Sequence, residues 1–244
     1  MRVPSFVLLL LVILSACGGA TESPASRGLT TEEATRLAEI RFKNFGERGA
    51  DFSANAAFLA LGETVTLTGS VNWEAHSGSA TVSASGRDAG VERVVWFSGA
   101  ILEVRPGLSD ILASTGQVGV EYLSRPPDVG NRLMDRTIAL VIALASPERE
   151  NSILIQQAEG SAFLRLDTLR GRAVEVLRYG KFLRYWLDVE TGELLRFEAD
   201  SPASNAPVVV DLLAFGQREV SAPSASAVLE ASAIQDLYDA ALAP

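Results

Sequence analysis

Residues 181–200, KFLRYWLDVETGELLRFEAD, constrain this chain more than any other stretch. Apolar side chains recur at every second position on both sides of Glu190-Thr191-Gly192. A glycine in a three-residue loop can take the left-handed conformation such a loop needs, so the stretch reads as a β-hairpin. With that loop, Leu183, Tyr185, Leu187 and Val189 stand opposite Ala199, Phe197, Leu195 and Glu193 on one face of the pleat. The other face sets Arg184 against Glu198, Trp186 against Arg196 and Asp188 against Leu194. One face is almost wholly apolar. The other carries an ion pair and a cation over an indole, as suits a surface partly open to water. A hairpin of this kind belongs to an antiparallel sheet whose greasy side needs a cover or a ligand.

The same two-residue period governs residues 51–104. Val65, Leu67, Val71 and Trp73 alternate with polar residues, His76-Ser77-Gly78-Ser79 makes a turn, and strands follow at 80–84, 91–97 and 100–104. Further strands are expected at 153–157, 162–166, 173–179 and 208–215. Thr30 and Glu33 are spaced as a capping box and open a helix to about residue 47 that carries Leu37 and Ile40. Residues 132–145, with Leu140 and Leu144, form a helix apolar nearly all round. It is too short to span a bilayer and is therefore expected to be buried. Residues 106–131 read as irregular, and 227–242 as a last helix. The order helix, meander, helix, meander, helix is that of an α+β domain: a curved antiparallel β-sheet, or half-barrel, with helices packed on its concave face.

Charge narrows the function. There are 21 basic and 30 acidic residues, a formal net charge of −9. That balance argues against a nucleic-acid partner and against electrostatic docking on anionic lipid. The single cysteine, Cys17, excludes an internal disulfide, and the single histidine, His76, excludes a two-histidine zinc site. Cys17 follows an early Arg2, an apolar run at 6–14 and Leu14-Ser15-Ala16. This resembles the bacterial lipobox, in which cleavage precedes the cysteine and its thiol carries two acyl chains, a stable anchor. The expected organisation is a lipoprotein signal peptide at 1–16, a flexible tether at 17–29, a domain at 30–223 and a C-terminal helix at 224–244. The protein is then extracytoplasmic, held at the outer face of the cell membrane by Cys17.

Tyr185-Trp186-Leu187-Asp188 with Thr191-Gly192-Glu193-Leu194-Leu195-Arg196 and the run Gly216-Gln217-Arg218-Glu219-Val220-Ser221-Ala222-Pro223 resemble phrases of the actinobacterial LppX/LprG-type lipoproteins, which have a LolA/LolB-like fold, and Arg125-Pro126-Pro127-Asp128 and residues 140–146 resemble an actinobacterial subgroup. The resemblance covers about 30–223, and the C-terminal helix lies outside its pattern. It implies a hydrophobic cavity between sheet and helices that takes a lipid or lipidated glycan. On that reading Leu183, Tyr185, Leu187, Leu195 and Phe197 form one wall, and Val65, Leu67, Val71 and Trp73 another. Leu37, Ile40, Leu140 and Leu144 face them from the helices.

No cofactor or catalytic group is expected. His76 has no companion G-x-S-x-G motif and reads as an exposed turn residue, which leaves a hydrolase little support. Asp188, Glu190 and Glu193 read as solvated turn carboxylates rather than an acid/base pair or cation site. Two functions remain. One is a non-enzymatic carrier of lipid. The other is an extracytoplasmic sensor or interaction module that binds a membrane-protein partner, an exporter or regulator, through 106–131 and the C-terminal helix. The composition of helix 132–145 suits a core plug and a movable lid equally.

Overall fold

In the computed structural model the described residues are 26–97, 99–114, 116–200 and 206–234. The expected signal peptide, Cys17 and most of the expected tether lie outside them. The helices are α1 (Thr31–Gly46), α2 (Leu108–Ser114), α3 (Leu133–Ala143) and α4 (Ser152–Gln157). The first half of the sheet comprises β1 (Gly49–Phe58), β2 (Glu63–Asn72), β3 (Ser77–Ala84), β4 (Arg93–Phe97), β5 (Ala100–Val104) and β6 (Tyr122–Arg125). The second comprises β7 (Ala162–Leu169), β8 (Arg172–Tyr179), β9 (Leu183–Asp188), β10 (Leu194–Ala199), β11 (Val208–Phe215) and β12 (Val228–Glu230). All join one open, curved sheet in the order β12-β6-β5-β4-β3-β2-β1-β11-β10-β9-β8-β7. Every pairing is antiparallel except the short parallel contact of β12 with β6.

Helix α1 forms where its capping box predicts. The Thr30 hydroxyl accepts from the Glu33 N–H, and the Glu33 carboxylate accepts from the Thr30 N–H. Arg27 donates to both oxygens of that carboxylate and holds it well below the usual carboxylate range. The buried face of α1 (Ala34, Leu37, Ala38, Ile40) joins Ile138 and Val141 of α3 and the inward side chains of β1, β2 and β9–β11 in one core. Gly78 is required on β3 because the Trp96 indole of β4 lies where a side chain would stand.

The opening hairpin forms, with one change of register. The Asp188 N–H donates to the Glu193 carbonyl at 2.9 Å, so the loop has four residues, 189–192, rather than three. One Asp188 oxygen accepts from the Glu190 N–H, the Thr191 N–H and the Thr191 hydroxyl, a side-chain-closed turn completed by Gly192 at φ 70°. The extra loop residue sets Leu187 opposite Leu194. A bulge at Leu195 then restores the expected pairs: Trp186 with Arg196, Tyr185 with Phe197, Arg184 with Glu198 and Leu183 with Ala199. The bulge moves Leu194 into the main core. It places Leu195 with Val174, Val176 and Trp186 in a separate outer cluster. Arg196 makes a two-point ion pair with Asp211 on β11 instead of lying over Trp186.

Four other expectations change. The stretch 106–131 contains α2 and β6, because Leu108, Leu112, Val120 and Leu123 pack with Ala231 into a small core of their own. Residues 153–157 are helical: the Asn151 side chain accepts from the Ile153 and Leu154 N–H groups, and an N-cap outweighs the β-branched run. The described part of the expected C-terminal helix, 225–234, is instead β12 between two 3₁₀ turns; residues 235–244 lie outside the described set. The end of the expected tether is folded: Arg27 bridges to Phe163 of β7, and Leu29 is buried.

Candidate functional site

Helix α3 is the centre of the site. Its last carbonyls would be orphaned at a free helix end, and neighbouring side chains satisfy them. The Trp73 indole donates to the Val141 carbonyl at 3.0 Å, Arg41 to Ala143 at 2.7 Å and Asn44 to Leu144 at 2.7 Å. These contacts tie α3 to α1 and to the residue that follows β2.

The first turn of α3 is held by buried charge. Arg125 makes a two-point contact with Asp135 at 2.6 and 2.7 Å and donates to Glu103 at 2.7 Å. Arg132 reaches Asp88 at 2.8 Å and Glu103 at 2.9 Å, and Arg105 donates to Glu103 at 3.1 Å. Three guanidiniums and three carboxylates thus form a neutral cluster, all of it buried. Asp88 and Asp135 also accept from the Met134 and Asp128 N–H groups, so backbone donors at the helix start are paired within the same cluster. Sequence reasoning missed this cluster, whose members span residues 88–135 and several elements. The one available signal is Glu103, two residues from Ile101 and hence on the inward side of β5.

Apolar clefts flank α3 on both sides. Toward β8–β10, a cleft of about 250 Å³ is lined by Leu140, Leu144, Tyr179, Leu183, Tyr185 and Phe197. Arg41 and Glu150 stand at its edge, 3.1 Å apart. Tyr185 and Phe197 meet edge to face at 5.1 Å. Burial pushes the Tyr185 phenol above its ordinary pKa, so it remains neutral. Toward β4–β5, a cleft of about 260 Å³ is lined by Trp96, Phe97, Ile101, Pro127, Ile138 and Ile142, with His76 also in its lining. The Trp96 indole N–H is buried and has no hydrogen-bond partner among the described residues. A larger cleft, about 440 Å³, lies between the end of α1 and the hairpin turn; Lys43, Glu47, Thr191 and Glu193 make it polar.

The residues expected to form cavity walls divide into three groups. Leu140, Leu144, Leu183, Tyr185 and Phe197 come together around the first cleft. Leu37, Ile40, Val65, Leu67, Val71, Trp73 and Leu187 are packed into the core beneath it, none more than 4% exposed. Leu195 is on the outer face, because the bulge turns it away. His76 is exposed in its turn at φ 49°. Asp188 closes the hairpin turn and pairs with Arg172. Among the described residues no group of three or more His, Cys, Asp or Glu is placed to hold a metal. Nor is any described helix long and apolar enough to cross a membrane.

No family model matches the chain, and no curated protein matches it. Among solved structures it is similar to LprF from Mycobacterium bovis, with 13% identity over 81% of this chain and 99% of that one, at a TM-score of 0.44. It is also similar to an uncharacterized conserved protein from Thermus thermophilus (9% identity, 80% and 96% coverage, TM-score 0.40). A third likeness is to the MucA/MucB complex structure from Pseudomonas aeruginosa, with 15% identity over 80% of this chain and 58% of that one, at a TM-score of 0.31. LprF is of the LppX/LprG type that the hairpin phrases resemble, and the likeness is one of fold alone.

Proposed function

We propose that this chain is an extracytoplasmic lipoprotein, acylated at Cys17, that holds the acyl part of a lipid or lipidated glycan beside α3 and catalyses no reaction. The observation that carries this reading is the cleft between α3 and β8–β10, where Leu140, Leu144, Leu183, Tyr185 and Phe197 converge and Arg41 and Glu150 stand at the edge. Apolar walls suit a hydrocarbon chain, and a charged edge suits a polar head group. Each buried CH₂ contributes about 0.8 kcal/mol, so about ten would contribute about 8 kcal/mol gross, the scale of micromolar affinity. At about 250 Å³ the cleft is below the roughly 300–1,000 Å³ usual for small-molecule pockets. It therefore suits part of one chain, and the cleft across α3 suits part of a second. Bulkier cargo would need α3 to lift from Val65, Leu67, Val71 and Trp73.

Native mass spectrometry of the protein from its host membranes tests this, compared with the same sample after denaturing extraction. A lipid adduct that weakens in still-folded Leu183→Glu and Phe197→Glu variants is the expected result. A clean mass, with no uptake from host lipid extract, would sink the carrier reading. It would favour the interaction module instead, with Ile111 and Val118 (40% and 81% exposed) around α2 as its contact surface.

A further inference from the structure

We infer that one end of the sheet, the end bearing the β1–β2 and β8–β9 turns, docks on the lipid bilayer with its apolar turns in the membrane interface. Register puts these turns together. A row runs across the sheet from Asn55 of β1 to Val209 of β11, and from the adjacent Val208 to Ala199, Leu183 and Tyr179. The β1–β2 turn and the β8–β9 turn both lie just beyond that row.

Large apolar side chains gather there. Leu59 and Leu61 in the β1–β2 turn are 54% and 62% exposed, and Phe182 in the β8–β9 turn is 48% exposed. Ile153 and Leu154 are exposed on α4, and Glu159 just after that helix pairs with Lys181 of the β8–β9 turn at 2.6 Å. These five are among the twelve large apolar side chains left exposed among the described residues. The turns at the opposite end carry His76, Arg170-Gly171 and Glu190-Thr191-Gly192, and Val189 is their one exposed large apolar residue among the described residues. Single exposed apolar residues are ordinary, whereas a concentration at one end marks a contact.

The occupant follows from where the chain leaves the domain. Arg27 bridges to Phe163, and the adjacent Ala162 pairs with Arg178 at this same end of β8. Cys17 is ten residues earlier, at most about 35 Å of extended chain. An acyl anchor on Cys17 therefore draws this end toward the bilayer and leaves the opposite end, a ten-residue strand away, in solution. That step rests on the lipoprotein reading above. At this end Arg87 pairs with Glu63 and Lys181 with Glu159, while Arg136 and Arg178 donate to the backbone carbonyls of Val129, Gly130 and Gly160. Apolar insertion, rather than attraction to anionic lipid, is the inferred driving force of docking. This agrees with the net charge of −9. Tyr179 and Leu183, which line the cleft beside β8–β10, also lie at this end, and an acyl chain could pass from bilayer to cleft without crossing bulk water.

The test uses the full, acylated chain reconstituted in phosphatidylcholine vesicles with and without phosphatidylglycerol. Acylation consumes the single native thiol, so Leu61→Cys, Phe182→Cys or Glu190→Cys each accepts one nitroxide label. Labels at 61 and 182 should be relaxed more by oxygen, which dissolves in hydrocarbon, than by a water-soluble nickel chelate. The label at 190 should show the reverse. Adding Leu59→Ser should return the label at 182 to water, and the pattern should be the same in both vesicle types. All three labels equally water-exposed would overturn the inference. So would labels at 61 and 182 that broaden each other between copies, which would make this face a protein contact. Lipid extracted from the same samples reads the cleft separately. A loaded cleft with this end in water sinks only the docking, and an empty cleft on a docked domain sinks only the cargo.

Discussion

Two regions of this molecule use the same arginine–carboxylate chemistry at nearly the same distances, and water separates their roles. On the outer face of β9–β11, Arg184 meets Glu198 and Asp200 at 3.0 and 2.7 Å, and Arg196 meets Asp211 at 2.9 Å. Those side chains are between 14% and 36% exposed. Beneath β5, β6 and the start of α3, Glu103 is shared among Arg105, Arg125 and Arg132, and no side chain of the cluster exceeds 8%. An exposed pair exchanges one solvated state for another and contributes little. The buried cluster forfeits hydration of six charges and must recover it through partner geometry. Its product is position: it fixes where α3 begins, and with that the two clefts along the helix.

Removing the centre of the buried cluster should give the largest effect. Glu103→Ala leaves guanidiniums without the carboxylate they share and should cost about 3–5 kcal/mol. Denaturant titration should show this, with Tm lowered by roughly 2–4 °C per kcal/mol. A loss no greater than that of an outer pair would erase the distinction between the regions.

Asp188 lies between the two extremes. It is buried, yet its partners belong to an exposed turn. Asp188→Ala removes the oxygen that closes the 189–192 loop and the partner of Arg172, and should cost about 2 kcal/mol because the freed donors can reach water. If the closure by Asp188 dictates the four-residue loop, the variant should also perturb the Leu195 bulge, visible as altered exchange of the Leu194–Arg196 amides.

Acid should find the same middle ground. The Arg27 guanidinium lowers the Glu33 carboxyl below its ordinary value. For Asp188, burial acts upward, but the Thr191 N–H and Arg172 outweigh it and the net shift is again downward. A carboxyl with a depressed folded pKa stabilises the fold above its unfolded pKa. As pH falls from about 4.5 through the lower folded value, the unfolded state binds more protons and stability is lost. Glu33→Gln should flatten that acid limb while leaving the pH dependence of stability above about pH 6 unchanged. An unchanged limb would exclude Glu33 as a contributor.

Arg196→Ala should give the smallest effect, about 0.2–1 kcal/mol and weaker still at high salt. A cost of several kcal/mol would mean the outer face is covered by something absent from the isolated chain.

Alternation and capping were legible in the sequence. Thr30 with Glu33 predicted α1, and the period-two runs placed nine of the described strands where β2–β5 and β7–β11 form. Leu183, Tyr185, Leu187 and Phe197 were correctly assigned to the inward face, and Leu195 was not. Alternation identifies a face only until a bulge intervenes, and this bulge follows from a loop that Asp188 lengthens by one residue. At 153–157 the β-branched residues spoke for a strand, but the local cap at Asn151 decided for a helix. Of the site, the cleft residues could be named in advance because burying hydrocarbon is a property of residue type. Their division into open wall and packed core could not.

By itself, then, the sequence determined the α+β class, the capped first helix, the apolar third helix and the greasy inner face of the hairpin. Each depends on contacts between residues close in the chain, or on a repeat of two or three to four residues. Tertiary structure decided the bulge's consequence for Leu195, the Glu103 cluster, the clefts beside α3 and the gathering of Leu59, Leu61 and Phe182 at one end. Those depend on which distant segments meet and how much water remains between them, and neither is a local property of the chain.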